Sequence, residues 1–270
     1  MSKKRILFVT QEMKPYTTLS EISEIVRRLP TYMHEQGMEI RILMPRFGTI
    51  NERRHRLHEV VRLSGMNIIV DDDDYPLIIK VASLPGARLQ VYFLDNDEFF
   101  RRKNLFNDGS GKPFEDNLDR MVFFSKGVLE TIKKFGWPPD IIHCHGWMTS
   151  LVPLYLKTAY KNEPLFAHTK VIYSVYNPSL IPNNLEENFR DKAAINNLES
   201  SLLDAYTPNN ELHLDQGAVT YADAVIQGSE TIDKSVTNQL AGSEKPVIQH
   251  SGDDTYLSEY LKFYQSLLSS

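Results

Sequence analysis

Residues 5–46 read RILFVTQEMKPYTTLSEISEIVRRLPTYMHEQGMEIRILMPR. Arg5-Ile-Leu-Phe-Val-Thr10 is a β-branched and aromatic run ending in polar residues, the pattern of a buried parallel strand. Gln11 to Thr17 form a turn. Leu19, Ile22, Ile25, Val26, Leu29 and Met33 then recur at helical spacing up to Gly37, a natural C-cap. Pro30 is expected to kink that helix or divide it in two. Glu39 to Pro45 form a second strand. Strand, helix and strand in so short a stretch open a Rossmann-type sheet, whose ligands sit beyond the carboxyl ends of the strands. Thr18 and Glu21 have the spacing of a capping box, in which each side chain satisfies the other's orphan backbone donor. An open helix N-terminus is an anion site; a self-capped one carrying a carboxylate is not.

The remaining chain extends this α/β pattern. After Gly48, residues 51–58 read as a loop or short helix. The 57–94 stretch is β-rich, with turn chemistry at Asp71–Asp74 and Pro85-Gly86. The four aspartates lack calcium-loop spacing and read as an exposed hairpin tip. Asp95 to Lys112 is an irregular loop. Its Gly109-Ser-Gly-Lys112 is not a phosphate loop, because Pro113 follows the lysine and no strand precedes it. Asn117 to Phe135 form an amphipathic helix. Asp140–Gly146 reads as a strand leading into a helix over 148–160, and Lys170–Tyr176 as another strand. A helix ends at Ala218–Tyr221 before strand Ala224–Gly228, and a further helix is expected from Ser229 to about Leu240. The tail from Thr255 carries an apolar helical stripe. The expected organisation is one Rossmann-like domain over 1–250, with 57–94 as a β-hairpin insertion, and a helix within 251–270 packing back on it.

Composition narrows the function classes. A net charge of −5, with basic clusters balanced by nearby acids, gives no reason to expect nucleic acid. The single cysteine, Cys144, rules out an internal disulfide and fits a reducing compartment. No apolar run approaches a membrane span and no signal peptide is visible, so a cytoplasmic protein is expected. On a strand, His143 and His145 share a face, but nothing nearby in sequence offers a third metal ligand. One hydrogen-bonded histidine and one cleft-facing histidine are expected, with Cys144 in the core on the opposite face. No Gly-x-Ser-x-Gly elbow supports a hydrolase.

Gln11-Glu-Met-Lys-Pro15, Val26-Arg-Arg-Leu-Pro30, Met44-Pro-Arg-Phe-Gly48 and Asp140-Ile-Ile-His-Cys-His-Gly-Trp147 together resemble bacterial glycogen synthases and plant starch synthases. Leu94-Asp95, Asp116-Asn117 and Tyr221-Ala-Asp223 extend the likeness to about residue 240. The resemblance implies the N-terminal, acceptor-side half of a GT-B glycosyltransferase, and an α-glucan as partner. It departs from the family at functional positions. Where the family has Lys-Thr-Gly-Gly after its first strand, this chain has Thr18, Leu19, Ser20 and Glu21. Gly146 stands for an aspartate, Tyr176 for a histidine, and Gln216 is nearest to a usual lysine.

Glu12, Tyr16, His145, Trp147, Tyr176 and Asn177 remain as substrate-contacting side chains, since aromatic faces and polar tips suit sugars. No catalytic residue, metal or cofactor is expected. Retaining glucosyl transfer needs preorganised charge around the diphosphate leaving group, and these departures remove it from this half. Two readings follow: a glucan- or protein-binding module inactive by itself, with a protein partner or second copy on the face that meets the second domain in longer relatives; or a synthase half that uses ADP-glucose with a separate donor-binding subunit.

Overall fold

The computed structural model describes residues 3–252 and 255–269. Strand β1 (Arg5–Thr10) is buried from Ile6 onwards, as its unbroken apolar run requires. Helix α1 (Ile22–Glu35) buries Ile22, Val26, Leu29 and Met33 on one side. It is one continuous helix with Pro30 inside it, so the expected division at that residue does not occur. Beside the proline, the Thr31 hydroxyl donates to the Arg27 carbonyl. Gly37, with φ of +89°, turns the chain into β2 (Glu39–Pro45), which pairs parallel to β1.

The β-rich stretch follows a short helix, α2 (Glu52–His55). It consists of β3 (His58–Glu59), β4 (Met66–Val70), β5 (Asp73–Ser83) and β6 (Gln90–Asp95). β6 lies parallel to β2, and β5 runs antiparallel to β6, so these strands extend the sheet that β1 begins. β4 and β5 form a hairpin whose tip is Asp71-Asp72. Beyond it come α3 (Asp97–Phe100) and α4 (Asn117–Phe135), which ends at Gly136 in the left-handed region. β7 (Ile141–His145) pairs with β1, and after α5 (Leu151–Lys157) β8 (Lys170–Val175) pairs with β7. The 178–213 segment is mostly single turns of 3-10 helix around α6 (Phe189–Ala193). Helix α7 (Leu214–Tyr221), β9 (Ala224–Gln227), α8 (Lys234–Ala241), β10 (Val247–Ile248) and α9 (Tyr256–Ser269) complete the order. α8 starts later than its sequence pattern implies, at an Asp233 cap that accepts from the Ser235 amide.

The sheet order is β10-β9-β8-β7-β1-β2-β6-β5-β3, parallel from β10 to β6. β1 is therefore central, and the reversal of strand order about it puts a crevice at the carboxyl ends of β1 and β7. Helices α4, α5 and α7 pack together on one face. Helix α9 contacts α1 on the other, burying Tyr256, Tyr260, Tyr264 and Leu267. Among the described residues, no helix is long and apolar enough to cross a membrane.

Candidate functional site: a crevice at the carboxyl ends of the strands

Four strand ends supply the crevice: Gln11 and Glu12 after β1, Gly146 and Trp147 after β7, Tyr176 and Asn177 after β8, and Gly228 and Ser229 after β9. Their arrangement is set by the helix that follows β1. The fully buried Glu12 carboxylate accepts from the Leu19 amide at 2.6 Å, the Ser20 amide at 2.8 Å and the Ser20 hydroxyl at 2.7 Å. The Ser20 hydroxyl in turn accepts from the Ile22 amide. The backbone donors of the turn that leads into α1, the Leu19 and Ser20 amides, are thus satisfied from inside the protein by a carboxylate. Thr18 and Glu21 do not form the expected capping box, and Glu21 makes no side-chain cap bond. Its carboxylate instead accepts from the Ser229 hydroxyl, which also accepts from the Asn177 amide at 2.9 Å. One contact therefore ties α1 to the loop after β9, across the ends of β7 and β8.

Below this contact lies a cavity of about 300 Å³ bounded by Gln11, Glu21, Trp147, Tyr176, Asn177 and Asp215. Gly146 forms its floor with φ of +88°, and a side chain there would meet Gln11 Cδ at 2.4 Å. A second pocket of about 280 Å³ adjoins it, sharing Pro178, Ile181 and Asp215. Among the described residues, no lysine, arginine or histidine lines the 300 Å³ cavity, whereas two carboxylic acids do. The arrangement offers hydroxyls, amides, aromatic rings and acids, which suits a neutral polyol better than a diphosphate.

Both strand histidines are fully buried. His143 Nδ1 bonds the Tyr264 hydroxyl of α9, and its Nε2 the Ser174 hydroxyl at 2.7 Å. His145 Nδ1 lies 2.7 Å from the Tyr176 hydroxyl, and its Nε2 has no partner among the described residues. The two rings are 3.9 Å apart. Burial pushes the His145 pKa down to about 3, and burial followed by the neighbouring His145 lowers that of His143 well below the ordinary value. Both rings are neutral near pH 7, and neither faces the cleft. No group of three or more potential metal ligands occurs among the described residues. Cys144 is buried on the opposite face, its thiol pKa raised by desolvation.

Of the residues singled out in the sequence, Ser20, Glu21, Gly146, Trp147, Tyr176 and Asn177 converge on one cavity. Glu12 and Tyr16 are turned into the body. Glu12 is committed to the turn before α1, and Tyr16 packs edge-on against Phe93 and donates to the Ser83 carbonyl. Thr18 is exposed outside the cavity, and Gln216 lines the neighbouring 280 Å³ pocket. Asp215 escapes sequence reading altogether. It accepts from the buried Tyr173 hydroxyl at 2.7 Å, and burial pushes its pKa up to about 6, with Asp233 adding to the shift. The only sequence signal for it is an acid in the first turn of a helix, which is common for stability alone.

The parallel sheet, the crevice at its carboxyl ends and the crossing tail helix define an α/β glycosyltransferase-type half, the N-terminal half of a GT-B fold. The structure superposes on the catalytic domain of starch synthase IV from Arabidopsis thaliana bound to ADP and acarbose, with a TM-score of 0.75 and 20% identity, over 94% of this chain and 52% of that one. The starch synthase catalytic domain family matches residues 5–248, and the chain belongs to that family. It is 41% identical to a glycogen synthase of Chlorobium limicola over 174 residues, covering 64% of this chain and 36% of that protein. It is 37% identical to a glycogen synthase of Chlorobaculum tepidum over 231 residues, covering 84% and 46% respectively. The chain thus spans less than half the length of these relatives.

Proposed function

We propose that this body is the acceptor-facing half of a glycogen-synthase-type system, that it binds α-1,4-glucan at the strand-end crevice, and that alone it does not transfer glucose. The observation that carries this reading is the charge of the crevice: among the described residues, two acids and no cation line its cavity. A nucleotide-sugar diphosphate needs positive charge or open backbone donors. Here the amides of Leu19 and Ser20, in the turn before α1, already hold the Glu12 carboxylate. Trp147 and Tyr176 supply ring surface, while Asn177 and Gln11 supply amide groups, for a neutral sugar.

The alternative, a working half joined by a donor-binding subunit, is supported by the 41% identity to a protein named glycogen synthase. Two measurements separate the readings. Titration with maltooligosaccharides by calorimetry or NMR is expected to show saturable binding, and no response at millimolar ligand would end the glucan assignment. Radiolabelled glucose from ADP-glucose or UDP-glucose is expected not to enter glycogen above background. Donor-dependent incorporation that scaled with protein and survived repurification would establish the enzyme reading instead.

A further inference from the structure

The opposite end of the sheet carries the reverse charge pattern. At the amino ends of β2 and β6 lies a pocket of about 510 Å³ whose lining includes Lys3, His34, Glu39, Arg41, Arg88 and Tyr92. Its one carboxylate is already engaged: Glu39 accepts from the Arg5 guanidinium at 3.2 Å and from the Trp137 ring nitrogen at 2.7 Å. Tyr92 donates to Gln90 at 2.9 Å, and His34 Nδ1 faces the Met38 carbonyl at 3.4 Å. In a chain of net charge −5, cations therefore outnumber acids here.

Arg41 is the centre of the pocket. Its guanidinium lies 4.2 Å from the centroid of Phe135 and 4.7 Å from that of Trp137, so two aromatic faces fix its plane. Its Nη1 is buried and has no hydrogen-bond partner among the described residues. Glu39 and Tyr92 act on it favourably, while Arg5 and Arg62 add further positive potential. A buried guanidinium N–H without an acceptor carries an uncompensated desolvation cost. An oriented, planar fork is the geometry that binds phosphate oxygens, and Arg88 and Lys3 stand at the rim as additional charges.

We infer that this pocket binds a small phosphate monoester, its oxygens accepting from Arg41 with Arg88 and Lys3 closing over the dianion. The site is separate from the strand-end crevice and does not depend on the glucan reading. The shared chemistry is the phosphate group; free phosphate and a sugar phosphate are distinguished by the probes.

The test is titration of the full chain at low ionic strength with inorganic phosphate, glucose 1-phosphate and glucose, following the Trp137 indole N–H signal by NMR. Glucose 1-phosphate is expected to bind at least tenfold more tightly than glucose. Inorganic phosphate matching glucose 1-phosphate identifies phosphate alone as the ligand; weaker binding identifies a sugar phosphate. Arg88→Gln, at an exposed residue, is expected to weaken binding at least fivefold without altering the melting temperature, and Arg41→Gln to abolish it. Affinities equal to wild type in both variants, or phosphate-induced shifts confined to the Trp147 side of the sheet, would overturn the assignment.

Discussion

Replacing Glu12 by alanine removes the carboxylate that holds the turn leading into α1. Three donors lose their acceptor: the Leu19 amide at 2.6 Å, the Ser20 amide at 2.8 Å and the Ser20 hydroxyl at 2.7 Å. A hydrogen bond to a charged group contributes about 1.5–3 kcal/mol net. The deleted carboxylate also gives up its own desolvation cost, and water can reach the partly exposed Ser20. The net loss is therefore about 3 kcal/mol, nearer the worth of one or two of these bonds than of all three. For a chain of this size that corresponds to a fall of about 6 °C in melting temperature. Glu12→Gln keeps one acceptor oxygen and turns an amide NH₂ towards another donor, so its fall should be about half as large. Differential scanning calorimetry of the three proteins, with urea unfolding to check that the m-value is unchanged, measures this directly. An E12A protein melting within about 1 °C of wild type would refute the claim that Glu12 holds the turn.

Three other outcomes are expected. Gly146→Ala should lower stability by about 2–3 kcal/mol, because a side chain is strained at φ +88° and meets Gln11; Gln11→Ala should recover only the steric part, and full recovery would show that the backbone is unstrained. Deleting residues 255–270 strips the cover from His143 and Phe8 and should lower the melting temperature by several degrees, so an unchanged curve would show that α9 contributes nothing. His145 and Asp215 have opposite pH signatures. His145 at about 3 binds its proton less readily folded than unfolded, so its contribution is lost as pH falls from about 6.5 to 3; Asp215 at about 6 holds its proton more readily folded, so stability falls as pH rises from about 4 to 6. Thermal melts across this range should show a flatter high-pH limb in Asp215→Asn and a flatter acid limb in His145→Gln, and unaltered profiles in both would refute the burial argument.

The first strand, helix and second strand are legible because each repeats its own period over enough residues to be distinctive. α4 is legible for the same reason. The capping arrangement is not, since Glu12 reaches the amides of Leu19 and Ser20 through the fold of the intervening turn, whereas Thr18 and Glu21 fit a local spacing rule that the chain does not use. Strand alternation correctly puts His143 and His145 on one face. It cannot reveal that this face is closed by Tyr264, which is 121 residues away. β10, with two residues, has no period to detect, and Asp215 follows a segment of 3-10 turns with no repeating pattern. Resemblance located the crevice-forming strand ends, while only the coordinates separate side chains that line the cavity from those, such as Glu12 and Tyr16, that hold its walls.

The closure of β1 and β7 by α9 also bears on how the chain is made. Phe8 emerges from the ribosome long before Tyr264, which covers it. At ordinary elongation rates the interval is on the order of tens of seconds. Throughout it, the face of β1 and later β7 that α9 will bury is open to solvent and to other chains. Any part of this sheet that forms before α9 is made carries an uncovered apolar stripe, the kind of surface that chaperones engage.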